Sequence, residues 1–340
     1  MSDSSAVGIS VLIPTFNYGR FLRECLGSVF TQTVTNFEII VIDDGSTDET
    51  SEILCSLSDP RVKVLKTPHG GIASARNRAL REASGEFIAF LDADDRWRPD
   101  KLEKQLSVLR SEPSVAAVFS DFVRFTEEGP LANAFSFYRG LPSIETRPSA
   151  DGRGRVILGD AFSELISLDV WPVGLQAMLF RRSAMSGLEF PLNLPICEDV
   201  YFSLRLYGRT HVAYIPEILT EVRRHGGNSH EPDVEMLEWQ AKALLLLEKD
   251  EESLSHKRAV RARIGRHYAG IGHQYFWEGQ PLLSGQSYLK SLGYPKSRVN
   301  ALVHLLALPY SFVVKFTQAR EQEKSTTAAQ HSSVHTTTGK

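Results

Sequence analysis

Cysteine is scarce in this chain. Its 340 residues hold three, Cys25, Cys55 and Cys197, an odd number at wide spacing with no Cys-x-x-Cys pair. That excludes a disulfide framework and a cysteine zinc cluster, and it reads as reduced thiols in a cytosolic protein. An excess of one charge sign is missing as well. With 38 basic and 41 acidic residues the net charge is −3, so no overall field favours nucleic acid or an anionic membrane. The start, Met1-Ser2-Asp3-Ser4-Ser5, is polar and lacks the basic region and apolar core of a secretory signal, and no apolar run reaches membrane-spanning length. The expected location is the cytoplasm. The first apolar segment is followed by neither G-x-G-x-x-G nor G-x-x-x-x-G-K-[ST], which removes the main support for nicotinamide-dinucleotide and P-loop readings.

What the chain does have is alternation. Ile9 to Ile13 reads as a strand stopped by Pro14; Phe21, Leu22, Cys25, Leu26, Val29 and Phe30 then recur at helical spacing behind an Asn17 cap. Phe37 to Ile42 is a second strand, and Ser46 with Glu49 makes a capping box for the next helix. Val62 to Leu65 gives a third strand, Ile72 to Ala83 a helix, and Phe87 to Leu91 a central strand. Such alternating units imply an α/β fold with a mostly parallel sheet covered by helices on both faces. Three polar or acidic loops then fall at strand C-termini along one sheet edge, where ligands of such sheets bind.

The sharpest of these loops is Asp92-Ala93-Asp94-Asp95, which ends the run Phe87 to Leu91. In an extended chain Asp92 and Asp94 point one way and Asp95 the other, so the first pair could converge on a divalent cation or on groups it bridges. Carboxylates that close are costly without a cation or hydrogen-bond donors. The alternative is a solvated acidic turn capping the helix that Pro99 starts. Pro14-Thr15-Phe16-Asn17 and Asp43-Asp44 offer backbone groups and a carboxylate suited to a nucleobase edge and a ribose. His69-Gly70-Gly71 leads into a helix carrying Arg76 and Asn77, where a cation could approach a diphosphate; read alone, Arg76 is a solvated helix charge and the Gly pair a helix entry.

Taken together, Val11 to Asn17, Ile40 to Asp48, Gly71 to Asn77 and Phe90 to Asp95 closely resemble the successive motifs of family 2 glycosyltransferases. Four motifs in order across some ninety residues are far more specific than any one. The resemblance implies a GT-A type nucleotide-sugar-binding fold and inverting transfer from a nucleoside diphosphate sugar, uridine-based by family frequency. On that pattern Pro14, Thr15, Asn17, Asp43 and Asp44 would hold the nucleoside and Arg76 would lie near it. Asp92, Ala93 and Asp94 would form the DxD element on ribose and metal, with Mg²⁺ or Mn²⁺ as cofactor. Acceptors in the family include sugars, lipid-linked sugars and proteins, as in polysaccharide and cell-envelope biosynthesis.

The resemblance continues more thinly beyond residue 115. Val115 to Asp121 forms another strand, and the Gly-, Pro- and Ser-rich stretch 127–159 reads as an acceptor loop or as disorder. Trp171 to Arg182 resembles the strand before the family's catalytic helix, with Trp171 and Gln176 as acceptor-binding residues. Ile196 to Leu206 resembles its ED motif, which makes Asp199 the general base and Glu198 an acceptor-binding or structural residue. An inverting displacement needs such a carboxylate beside the acceptor hydroxyl, opposite the leaving diphosphate. The helix dipole would favour its ionised form and burial would raise its basicity. The plainer reading of Glu198-Asp199 is a helix N-terminal charge pair. Val212 to Pro216 is a strand, and Val222 to Ser229 resembles the family's tail motif, with His225 completing a metal shell with Asp94, contacting phosphate, or remaining merely solvated. Gly226 and Gly227 would let this loop close over the donor.

From Val234 onward the pattern is helical, with Met236, Leu237, Ala241, Leu244, Leu245 and Leu247 on one helix and a break at Gly279-Gln280-Pro281. The expected organisation is a catalytic domain over 1–232, a helical region over 233–317 and a disordered tail over 318–340. The apolar run 301–314, interrupted by Pro309, is a packed helix or a peripheral contact with the inner membrane face. Two other functions share these features: a non-catalytic nucleotide-sugar-binding protein, and a nucleotidyltransferase on a similar fold. The first predicts a lost base or a broken acidic triplet, and both are intact. The second predicts a Gly-rich, Arg-containing loop after the first strand, which is missing.

Overall fold

The computed structural model describes residues 7–168, 174–226, 234–250 and 255–294, together with Leu302 and Leu305. Its first part alternates as β1 (Ile9–Thr15), α1 (Gly19–Phe30), β2 (Phe37–Asp43), α2 (Thr50–Cys55), β3 (Val62–Lys66), α3 (Ile72–Glu82) and β4 (Phe87–Phe90). There follow β5 (Arg96–Trp97), α4 (Lys101–Ser111), β6 (Val115–Thr126), β7 (Gly129–Asn133), β8 (Thr146–Pro148), β9 (Arg155–Ile157) and α5 (Ala161–Ser167). Then come β10 (Met178–Arg181), α6 (Glu198–Tyr207), β11 (His211–Arg223), α7 (Val234–Lys249), α8 (Lys257–Trp277) and α9 (Pro281–Leu292). The strands join one mixed sheet in the order β3-β2-β1-β4-β10-β6-β11-β9-β8, with β5 on β11 and β7 on β6. β1 to β4 are mutually parallel, β10 is antiparallel to both neighbours, and β11 is parallel to β6.

Residues on both faces of the inner strands are buried, Ile9, Val11 and Ile13 as fully as Leu12 and Ile40. That is why these strands read as continuous apolar runs and not as alternations. β1 does not stop at Pro14. The carbonyl of Leu12 accepts from Leu91 on the β4 flank, so Pro14, two residues on, faces that same flank, where β4 has already ended. Its missing N–H costs no ladder bond.

Local caps differ from the sequence expectation. Neither Asn17 nor the Ser46/Glu49 pair caps a helix. Asp48 takes both positions, accepting from Gly19 N at the start of α1 and Thr50 N at the start of α2, each at 3.0 Å. Ser46 Oγ and Asn17 Oδ1 instead tie the two loops together, accepting from Asn17 N at 3.0 Å and Thr47 N at 2.7 Å. The helix expected from Pro99 begins at Lys101.

Two strands run further than their sequence signals. β11 passes through Pro216 because a register irregularity between Ile215 and Ile218 absorbs it, and the extension delivers Arg223 to the acidic loop. β6 runs to Thr126. The stretch 127–159 is structured, held by Asp121, which accepts from Phe135 N at 2.9 Å and from Asn133 Nδ2.

The chain divides into two compact units, Met1–Val260 and Arg261–Lys340. In the second, Ser284 Oγ and Ser291 Oγ of α9 donate to the carbonyls of Gly272 and Gly265 on α8. Among the described residues no helix is long and apolar enough to cross a membrane. The run 301–314, apart from Leu302 and Leu305, and the tail 318–340 lie outside the described residues.

Candidate active site

The loops after β1, β2 and β4 meet at one edge of the sheet. At the end of β2, Asp43 is buried and its carboxylate accepts from Ser46 N at 2.8 Å and Ser51 Oγ at 3.0 Å. Asp44 accepts from Gly70 N at 3.0 Å and Gly71 N at 2.8 Å, with His69 Nδ1 2.9 Å away. Gly71 starts α3 with φ of 83°, a backbone that glycine adopts without strain. His69 stacks on Phe16 at 4.1 Å between ring centroids and 26° between planes. An aromatic surface therefore lies beside Asp44 at the mouth of β1, with Phe16 exposed. Pro14 and Thr15 close β1 just before Phe16, and Asn17, which follows it, has a positive φ of 57°.

Asp92 to Asp95 do not continue the strand. Asp95 N donates to Asp92 O at 3.0 Å, closing a turn, so strand alternation stops at Leu91. Asp92 accepts from Arg76 Nη2 at 2.7 Å, Asp94 lies 3.2 Å from His225 Nε2, and Asp95 accepts from Arg223 N at 2.8 Å. Ala93 is buried between them. Burial and the neighbouring Asp92 hold the Asp94 carboxyl above its ordinary range, and burial with Asp94 does so more strongly for Asp95. His225 sits against α1, 4.7 Å from the Phe21 ring and 5.8 Å from Tyr18. This histidine is not merely solvated.

Arg76 joins this loop to α6. One guanidinium nitrogen contacts Asp92 and the other Glu198, while its buried Nε has no hydrogen-bond partner. The neighbouring Asn77 exchanges two hydrogen bonds with the backbone of Phe190, at 2.8 and 2.7 Å. Phe190 stacks on Phe202 of α6 at 4.0 Å, so α3 positions α6 through both residues. Cys197, with a positive φ of 65°, turns the chain into α6. A β-turn or a glycine is absent there, and the strain is the kind found where a side chain must be aimed.

Glu198 and Asp199 follow at once. Burial pushes Glu198 up to about 8, against the lowering pull of Arg76. Burial also raises Asp199, again opposed by Arg76, and its Oδ1 accepts from Val200 N at 2.8 Å. Burial thus outweighs the helix terminus. The Arg76 guanidinium faces Asp92, Glu198 and Asp199, and the adjacent Glu198 and Asp199, both raised by burial, favour keeping a proton between them.

Of the expected acceptor residues, Trp171 lies outside the described residues. Gln176 is on a short 3₁₀ turn, Leu175–Ala177, before β10. β10, which this turn precedes, pairs with β4 with Phe180 opposite Ile88. Three successive carbonyls running from the turn into β10 are held by side chains. Gln176 O accepts from Trp97 Nε1 at 2.8 Å and Thr220 Oγ1 at 3.2 Å, and Ala177 O from Gln105 Nε2 at 2.8 Å. Met178 O accepts from Lys101 Nζ at 3.2 Å. Lys101 is fully buried, donates also to Gln105 Oε1 at 2.7 Å, and lies over the Trp97 ring at 4.1 Å. Burial lowers its pKa well below the usual lysine range.

Phe16 and His69 belong to this site through their rings as well as through the loops that carry them, as do Tyr18, which precedes α1, and Phe21 of α1, which the sequence does not mark. Among the described residues no cluster of three or more His, Cys, Asp or Glu side chains is arranged to hold a metal ion. Asp94 and His225 are a two-residue set of carboxylate oxygen and imidazole nitrogen. That donor set fits an ion which takes most of its ligands from substrate phosphates and water.

A profile described as Glycosyl transferase family 2 matches residues 10–156. The chain is 43% identical over 208 residues to the Escherichia coli UDP-Glc:alpha-D-GlcNAc-diphosphoundecaprenol beta-1,3-glucosyltransferase WfgD, covering 61% of this chain and 72% of that protein. It is 30% identical over 223 residues to an uncharacterized glycosyltransferase of Rickettsia conorii, a match that spans 65% of this chain but only 33% of that relative's length. Among solved structures, Staphylococcus aureus TarS in complex with UDP-GlcNAc aligns with a TM-score of 0.62 at 19% identity, covering 94% of this chain and 92% of the other. The mannosyltransferase PcManGT from Pyrobaculum calidifontis, in complex with GDP-Man and Mn²⁺, aligns at 0.59 and 19%, covering 92% and 83%. At these identities the structural likeness speaks for the fold, which is GT-A.

Proposed function

The chain belongs to glycosyl transferase family 2, and from that premise we propose that it transfers a sugar from a nucleoside diphosphate to an acceptor hydroxyl in one inverting displacement. The observation that carries this reading is the Asp92–Arg76–Glu198 bridge. A single buried guanidinium links the loop on which the donor would rest to the helix that bears Asp199. In this reading Asp199 receives the acceptor proton as the new bond forms, and its desolvated setting makes it a stronger base than an ordinary carboxylate. Glu198, paired with Arg76, orients the base and contributes to the acceptor side with Gln176 and Trp171. Asp43 and Asp44 shape the nucleoside pocket through the backbone they hold, with Pro14, Thr15 and Asn17 at its floor, and Phe16 with His69 supplies a flat face for the base.

Asp94 and His225 would hold Mg²⁺ or Mn²⁺, which when bound supplies positive charge to the departing diphosphate. The donor proposed is a UDP-hexose, in keeping with the donor that the WfgD name prints. The same name supports a lipid-linked sugar as acceptor, met at the cytoplasmic face of the membrane. The catalytic part is assigned to 1–232 and the helical part to 233–317. A thermal-shift series of nucleoside diphosphate sugars with Mn²⁺ tests the reading, since a ligand at about 100 times its Kd adds about 2.7 kcal/mol of stability. Stabilisation by none of them would contradict it.

A further inference from the structure

Arg223 and His225 hold the same aspartate at two points. β11 ends at Arg223, and its pairing with β6 carries on for one more residue, where Arg224 N donates to Phe125 O at 2.7 Å. In such an extended backbone the side chains two residues apart point the same way. Arg223 Nε donates to the carbonyl of Asp94 at 3.0 Å, and His225 Nε2 lies 3.2 Å from the Asp94 carboxylate. The backbone N–H of Arg223 donates to the buried Asp95 carboxylate at 2.8 Å. One strand end thus grips both the backbone and the side chains of the acidic turn.

Arg223 is itself held. Its side chain is 12% exposed, and its guanidinium lies 4.8 Å from the Phe21 ring of α1 and 4.5 Å from the Phe125 ring of β6. Nη2 pairs with one carboxylate oxygen of Glu24 on α1, whose other oxygen takes Arg96, the residue after Asp95. Arg96 pairs also with Glu221 of β11, which lies 2.5 Å from Arg98 Nη2. Glu24 therefore joins the strand end that grips the acidic turn to the segment that leaves it. An exposed ion pair contributes little by itself. A planar fork set between two rings, with Nε on one element and Nη2 on another, is different, because it has one orientation and a lysine ammonium cannot reproduce both directions.

We propose that Arg223, anchored by Glu24, is a positioning residue for the donor site, fixing the backbone of Asp94 so that its carboxylate is presented beside His225. The proposal rests on the reading of Asp94 as a donor-binding residue. It gives Arg223 no contact with the donor, only a hold on the residue that makes one.

Hydrogen exchange and calorimetry on the full chain test it. Without nucleotide, Arg223→Lys and, separately, Glu24→Gln should make the Asp95 amide, which donates to Asp92 O, exchange at least tenfold faster, while peptides from β1 and β2 keep their wild-type rates. UDP titrated in the presence of Mn²⁺ should bind at least tenfold more weakly to Arg223→Lys and at least threefold more weakly to Glu24→Gln. Adding Arg223→Lys to Asp94→Ala should cost no further affinity, because the arginine acts through Asp94. A merely structural arginine would weaken both backgrounds alike. Glu24 is 43% exposed, so its variant carries the test if Arg223→Lys does not fold. Wild-type exchange at Asp95 in folded variants, wild-type UDP affinity in them, or an undiminished further loss on the Asp94→Ala background would each overturn the proposal. A wild-type protein that does not bind UDP would overturn the donor reading instead, and exchange at Asp95 would then decide whether Arg223 sets the turn.

Discussion

Arg76 and Glu198 are 122 residues apart in the chain, yet their side chains form a buried ion pair that ties α3 to the start of α6. The same guanidinium holds Asp92. Removing one partner from such a cluster leaves buried charge without compensation, a loss of about 3–5 kcal/mol. Arg76→Met should therefore be strongly destabilising in urea unfolding. Adding Glu198→Gln should recover part of the loss. A single variant within 1 kcal/mol of wild type would mean that the bridge carries little of the local structure.

Asp48 provides two helix starts with one carboxylate, accepting from Gly19 N and Thr50 N. Asp48→Ala should cost about 1–2 kcal/mol per cap lost, read from the thermal midpoint with the usual enthalpy correction. Ser46→Ala and Glu49→Ala are expected to cost less, since neither side chain caps α2.

Lys101 gives a pH signature of known sign. Its folded pKa is lowered by burial, so between that value and the unfolded value the unfolded chain binds more protons. Stability must then rise with pH across that window, up to about 10.4, with a slope from this group of as much as about 1.4 kcal/mol per pH unit. Lys101→Met should remove that slope. Urea midpoints of the two proteins at pH 8, 9 and 10 check it, and parallel lines would contradict a neutral buried amine.

Asp94 is expected to act on donor binding. Loss of one charge-assisted contact is worth about 1.5–3 kcal/mol, so Asp94→Ala should weaken UDP binding by about tenfold to a hundredfold. Chelation of divalent ions should do the same to the wild-type protein and little more to the variant. Calorimetry with equal affinity before and after chelation would remove the metal role from Asp94 and His225.

Much of this site can be read in the chain because its parts are local. An apolar run that ends in carboxylates marks both the buried β4 and the loop it carries, and the parallel sheet follows from the alternation before it. What could not be read depends on distant partners. Arg76 on its own helix looks like a solvated charge, and its burial comes from Asp92 and Glu198. Lys101 sits at a spacing that suggests a helix surface, yet its amine is buried against the Trp97 ring, where it donates to Met178 O and Gln105 Oε1. The caps read at Asn17 and at Ser46 with Glu49 fall to Asp48 instead, because side chains of similar capping chemistry lie close in sequence and only the fold brings Gly19 N and Thr50 N to one carboxylate. The stretch 127–159 offers no periodicity, since Asp121 organises it from outside.

The most direct measurement is made on Asp199→Asn, which preserves shape and most hydrogen bonding but removes the proton acceptor. Melting temperature, UDP-sugar affinity and initial transfer rate are taken on one preparation. The account predicts a folded protein with unchanged donor affinity and a rate lower by roughly 10²–10⁴-fold, with the wild-type rate rising as pH passes a carboxyl pKa held above its ordinary range by burial. A folded variant with a near-normal rate would contradict the assignment of Asp199 as the base.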